Sequence, residues 1–149
     1  MVIYKRGEIY MECKRDYCPC CGYPTLPLRE HPQMPTFDIC FLCYWQDDGQ
    51  TDIDADRVYG GPNGKYSLTE AKGNFKKYLV MFSPENDTRI VPGDLPEEIC
   101  IKKSLINLFK EIKITDNNDK KEVVWTEIIE MENKLHEYTH RKVERFTKK

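Results

Sequence analysis

The chain has 149 residues, seven cysteines, a formal net charge of −2 and a charged fraction of 32%. That length suffices to bury the core of one domain, and the near-neutral balance gives no general attraction to phosphate backbones. No run of eighteen apolar residues occurs, so no membrane span is expected; the odd cysteine count and the lack of an apolar leader over residues 1–12 point to reduced thiols in a cytoplasm.

Residues 2–12 place Val2, Ile3, Tyr4, Ile9, Tyr10 and Met11 around Lys5-Arg6-Gly7, which predicts a short hairpin. Cys18-Pro19-Cys20-Cys21 and Cys40-Phe41-Leu42-Cys43 follow, two C-x2-C pairs separated by eighteen residues. Two residues between cysteines let a tight turn aim both sulfurs at one ion. A second such turn completes a tetrahedron of thiolates at about 2.3 Å each. Cys18, Cys21, Cys40 and Cys43 are therefore the expected ligands of one structural zinc, with Cys20 a spare thiol and Cys13 and Cys100 ordinary thiols. A redox C-x-x-C needs a helix directly after the first pair, and Gly22-Tyr23-Pro24 stops a helix. Pro24, Pro27, Pro32 and Pro35 restrict the stretch between the pairs to loops and short strands, with Phe37 to Phe41 the best strand candidate.

Beyond the turn cluster Gly60 to Gly64, Ser67-x-x-Glu70 reads as a capping box. Leu68, Ala71, Phe75, Leu79 and Phe82 then predict a helix to about Phe82. Asp94 is the expected cap of the next helix, with Pro96 in its first turn and Ile99, Leu105, Ile106, Leu108, Phe109 and Ile112 on its buried side. Asp116 to Asp119 ends it. The last helix is predicted from about Lys120 to about Phe146, with Val124, Ile128, Met131, Leu135 and Tyr138 repeating at four, three, four, three.

Three strings extend the cysteine pattern: C-P-C-C-G-Y from Cys18, C-F-L-C-Y-W-Q-D-D-G-Q from Cys40, and G-G-P-N-G-K-Y-S-L-T-E-A-K-G-N-F from Gly60. In content, order and spacing they resemble the CPCC family of small cysteine-rich bacterial proteins, over residues 17 to about 80. Gln46 departs from the family's usual glutamate. The resemblance implies a zinc-binding module and carries no reaction and no catalytic residues.

Two further strings bear on chemistry. His136-Glu137-Tyr138-Thr139-His140 matches H-E-x-x-H, which on a helix places both imidazoles on one face with the glutamate as general base. A third protein ligand is wanting: no His, Asp or Cys follows His140, and Val143 stands where the extended motif needs glycine. Asp47, Asp48, Asp52, Asp54 and Asp56 face Arg57 alone over residues 47–63. As a calcium loop the run fails, because Arg57 and Asn63 occupy the positions of the required glycine and glutamate.

The expected architecture is α+β: a small zinc-ribbon-like cysteine module with short strands, then three helices, the last two a helical hairpin. The expected organisation is residues 1–83 as the zinc module with its helix and residues 94–149 as the hairpin, packed as one domain. The functional expectation is a cytoplasmic, zinc-stabilised binding protein that acts on a protein partner through the acidic loop, and not an enzyme. An immunity- or antitoxin-like inhibitor is the specific form, since acidic loops suit the basic cleft of a nuclease. A nucleic-acid-binding zinc ribbon is the alternative, and a small zinc metallopeptidase using His136, Glu137 and His140 the second alternative.

Overall fold

A computed structural model describes residues 14–91 and 93–148. The expected hairpin over residues 2–12 lies outside the described residues. The protein is α+β: the described residues form a two-stranded sheet, a cysteine cluster beside it, and three α-helices of which the last two pack as a hairpin. Residues 14–88 form one compact unit, and the chain from Arg89 on belongs to a second. No helix among the described residues is long and apolar enough to cross a membrane.

In the first unit, β1 (Asp16–Tyr17) pairs antiparallel with β2 (Pro24–Leu26), and the first cysteine pair forms the turn between them. The predicted strand at Phe37 to Phe41 is reduced to a single bridge between Ile39 and Gln46. Phe37 has φ 58°, a left-handed conformation that breaks strand geometry and is costly for a bulky residue. It is held there from several sides. Its N–H donates to the Asp47 carbonyl at 3.0 Å, and its own carbonyl accepts from Gln46 Nε2 at 3.0 Å.

Helix α1 (Leu68–Tyr78) starts as the capping box requires: Ser67 Oγ accepts from the Glu70 N–H at 3.1 Å. It stops one turn earlier than the apolar spacing suggests. Leu79 adopts the left-handed conformation and donates its N–H to the Phe75 carbonyl, ending the helix in an αL cap. Val80, Met81 and Phe82 are nevertheless buried, so the apolar spacing read core membership correctly and helix length wrongly. Tyr23 stacks edge-on against Phe75, and Tyr66 against Phe82.

The second unit is built on α2 (Pro96–Ile114) and α3 (Asn118–Thr147). Asn117 caps α3 by accepting from the Lys120 N–H. Asp94 does not cap α2. Leu95 takes that position, and its N–H donates to Glu98 Oε1 at 3.0 Å. Asp94 is occupied elsewhere, bonded to Arg89 at 2.7 Å and Lys102 at 2.6 Å. The buried side of α2 is Glu98, Ile101, Lys102, Leu105 and Phe109, rotated from the expected face; Ile99, Ile106, Leu108 and Ile112 are only half-buried. That face carries charge because each charge is paired: Lys142 of α3 lies 2.8 Å from Glu98 and 3.0 Å from the Gly93 carbonyl. Burying a lone lysine or glutamate would cost several kcal/mol, so the partners are obligatory.

Candidate metal centre

Both cysteine pairs fold into the same local structure. In the first, the Cys18 carbonyl accepts from Gly22 N–H at 2.8 Å, and the Cys18 N–H donates to Tyr23 O at 2.9 Å. In the second, the Cys40 carbonyl accepts from Tyr44 N–H at 2.8 Å, and the Cys40 N–H donates to Trp45 O at 2.9 Å. The residue after each second cysteine turns left-handed, Gly22 at φ 78° and Tyr44 at φ 68°. Each turn thus closes into a knuckle that aims two sulfurs at one point.

The ligand atoms of Cys18, Cys21, Cys40 and Cys43 all lie within 4.8 Å of one another. Cys18 Sγ is 3.6 Å from Cys43 Sγ, and Cys21 Sγ is 3.8 Å from Cys40 Sγ. A disulfide needs about 2.05 Å. A tetrahedron with sulfurs about 2.3 Å from a central ion has edges of about 3.8 Å, close to both of these distances. Three of the thiols are buried and Cys21 is half-buried. The donor set and the spacing therefore fit a metal ion of tetrahedral preference.

Groups around the sulfurs support the thiolate form. Thr25 Oγ1 is 3.0 Å from Cys40 Sγ, and the Trp45 N–H donates to Cys43 Sγ at 3.5 Å. Burial pushes the Cys21 and Cys43 thiols well above their ordinary range, and neighbouring thiols add to it. Burial acts the same way on Cys40 but is outweighed by hydrogen bonds from Cys18, Cys21, Cys43 and Thr25, so Cys40 falls well below the ordinary thiol value. An ion bound among the four sulfurs would take them as thiolates and release their protons. Cys20 is buried, is not one of the four clustered residues, and lies against Cys43.

The loop after the second knuckle is folded onto the module. Asp47 is only 1% exposed. It accepts from the Thr36 N–H at 2.8 Å and the Thr36 hydroxyl at 3.0 Å, and Arg29 lies 3.0 Å away. Arg29 also pairs with Asp16 of β1, so one guanidinium ties the sheet to the second knuckle. Asp48 accepts from the Gln50 N–H and from Asn63 Nδ2. Asp54 accepts from the Thr51 N–H and the Tyr59 hydroxyl, Asp56 from the Thr69 hydroxyl, and Asp52 pairs with Lys72. All five carboxylates have partners within the unit; Asp47 is inaccessible, whereas Asp52 and Asp56 are exposed and bonded to the side chains of Lys72 and Thr69. Turn and loop carboxylates beside free N–H groups are taken up locally before a partner can use them.

The structure adds residues that ligand spacing does not single out. Asn63 is fully buried and reads the Gln46 peptide as a neighbouring strand would: Oδ1 accepts from Gln46 N–H at 2.8 Å, and Nδ2 donates to Gln46 O at 3.0 Å. Gln50 Nε2 donates to the Asp54 and Arg57 carbonyls. Met81 N–H donates to the Cys43 carbonyl, and Asn74 holds Met81 in place through its carbonyl. The signal for Asn63 was present in the Gly-Gly-Pro-Asn-Gly cluster, where a turn was read and its amide was not.

In α3, His136, Glu137 and His140 are exposed. Glu137 pairs with Arg141, and His140 lies 3.4 Å from Glu144. Among the described residues, the four cysteines form the one group of three or more ligand side chains close enough to share an ion.

Two matched knuckles presenting four clustered thiols, on a small α+β scaffold, define a cysteine-cluster protein with a candidate metal site. The chain belongs to the cysteine-rich CPCC family, whose model matches residues 16–92. The match includes both knuckles, the loop through Asp56, Asn63 and all of α1. No curated protein and no solved structure matches the chain.

Proposed function

We propose that the protein is a zinc-stabilised binding protein that acts through protein–protein contacts. The observation that carries the metal reading is the closed set of four sulfurs at tetrahedral spacing. Four thiolates fill the coordination shell of a zinc ion and leave no position for water or substrate, which is the arrangement of structural rather than catalytic zinc. The small sheet of two and three residues per strand has little hydrogen bonding of its own, so the ion takes the place of a larger core. The zinc is the fold's fastener, and the output is recognition.

An immunity- or antitoxin-like inhibitor, in the cytoplasm, is the specific form of this reading. Its support over residues 84–100 is Glu85 and Glu97, which are exposed, because Asp94 and Glu98 of the same stretch are buried in ion pairs. Its support from residues 47–56 is weakened by the local bonding of those carboxylates.

The test is capture of a partner from the protein's own cells, followed by rebinding of the purified partner to wild-type protein and to Cys40→Ser protein. Peptide and nucleic-acid hydrolysis are assayed in parallel. The reading expects stoichiometric rebinding that fails when the metal is lost, with no turnover. Turnover of peptide that needs Glu137, or duplex binding that falls steeply with salt, would replace it with one of the two alternatives.

A further inference from the structure

The hairpin unit carries a groove that none of its own described helices fills. Leu95, Tyr138 and Phe146 are exposed apolar side chains, and they line one cavity of about 620 Å³ together with Arg141, Lys142, Glu144, Arg145 and Lys148. The groove follows from the seam of α3. The apolar repeat at Val124, Ile128, Met131, Leu135 and Tyr138 continues by its own spacing to Lys142 and Arg145. Lys142 is 5% exposed and closes the seam against Glu98 and Gly93. α2 begins at Pro96, so the turns of α3 beyond Lys142 have no helix opposite them among the described residues.

We propose that this groove docks an acidic amphipathic helix of the partner protein. The inference rests on the protein-binding reading above and names the surface and the partner's chemistry. Tyr138 and Phe146, eight residues apart on one helix, present two aromatic anchors about two turns apart. Leu95 forms the facing wall. Apolar residues of a visiting helix at i, i+3, i+4 and i+7 match that spacing. Arg145 and Lys148 stand at the rim with no ion pair to any described residue, and they select carboxylates over ammonium groups on the visitor. A phosphate backbone fits less well. Lys142 is consumed by Glu98 and Arg141 by Glu137, while exposed Glu144 lies among the remaining cations. Two cations without an ion-pair partner among the described residues, on an aromatic floor, suit a peptide better than a duplex.

The experiment titrates two labelled peptides of about four helical turns onto the full chain at two ionic strengths. One carries leucines at i, i+3, i+4 and i+7 with glutamates elsewhere. The other replaces the glutamates by lysines. The proposal expects stoichiometric binding of the acidic peptide, weakened by salt, and none of the basic one. It expects a Kd raised about tenfold by Arg145→Glu with Lys148→Glu, and raised by Phe146→Ala at both salt levels. All three side chains are exposed, so helix content and metal content serve as folding controls. Failure of the acidic peptide to bind, or binding that none of these variants alters, overturns the proposal. So does tighter binding of duplex DNA, or occupation of the groove by a second copy, read as self-association that Phe146→Ala abolishes. Each of those results leaves the metal content and the partner-capture result unchanged, so this proposal and the function reading fail separately.

Discussion

Gly22 and Tyr44 occupy the same position in two copies of one turn. Each follows the second cysteine of its pair, each has positive φ, and each donates its N–H at 2.8 Å to the carbonyl of the first cysteine. The turn geometry is demanded by the sulfur cluster and is indifferent to the residue that supplies it. Glycine adopts it without penalty, whereas tyrosine pays roughly 1–2 kcal/mol against its β-carbon. An ion bound by the four sulfurs would offset that strain, because the knuckle is what lets two sulfurs converge.

A direct consequence concerns Gly22. A β-carbon there would meet nothing within 4 Å, so any cost of Gly22→Ala is conformational and not steric. The expected loss is about 1 kcal/mol of stability, with metal retained. Denaturant unfolding of the loaded protein measures it, and an unchanged midpoint would show that the first knuckle relaxes to another conformation.

Asn63→Ala tests the amide that reads the Gln46 peptide. The change leaves the half-buried N–H and carbonyl of Gln46 without partners. The expected loss is about 2 kcal/mol, since an unsatisfied group costs about 1–3 kcal/mol when buried and less where water reaches it. Thermal unfolding should register it. A Gly61→Ala change in the same cluster, where the nearest neighbour of the added carbon is 3.9 Å away but φ is 64°, should cost less.

The hairpin unit should have an acid limb in its stability. Burial pushes the Asp94 carboxyl up, but Lys102 and then Arg89 outweigh it and hold it below the ordinary aspartate value of 3.8. A carboxyl depressed in the folded state stabilises above its unfolded value and loses that contribution as pH falls through the folded one. Stability of the helical hairpin is therefore expected to drop below about pH 4. Asp94→Asn should flatten that limb while costing about 3–5 kcal/mol at neutral pH, because Lys102 is left buried beside a neutral group. Denaturant midpoints followed by helical circular dichroism across the acid range decide it.

The H-E-x-x-H string gives a prediction of the opposite kind. His136→Ala with His140→Ala should leave metal content and partner binding as they are. Loss of a second metal ion together with loss of peptide cleavage would identify a catalytic site on α3.

How much of this was legible in the sequence depends on what each element answers to. The clustering of the four cysteines, the Ser67 cap and the Asn117 break were legible because local chemistry fixes them. The Phe37 to Phe41 strand was not, because Asp47 and Gln46 bend that segment from a distance in sequence. The Asp94 cap failed for a similar reason: Lys102 and Arg89 compete for its carboxylate. The buried face of α2 was misjudged because apolar spacing gives no credit to Glu98 and Lys102, whose burial is permitted by partners on other elements. The acidic loop was read as surface charge, yet Asp47 lies beneath Arg29 and Thr36. Residues that answer to distant partners are the ones spacing alone does not reveal.

The central claim is that one zinc is held by Cys18, Cys21, Cys40 and Cys43. Elemental analysis of the purified protein beside Cys43→Ser and Cys20→Ser tests it most directly. The account predicts a single zinc per chain in the wild type, the same content in Cys20→Ser, and loss of the metal with unfolding of residues 14–88 in Cys43→Ser. Full zinc retained by Cys43→Ser, or zinc lost from Cys20→Ser alone, would contradict it.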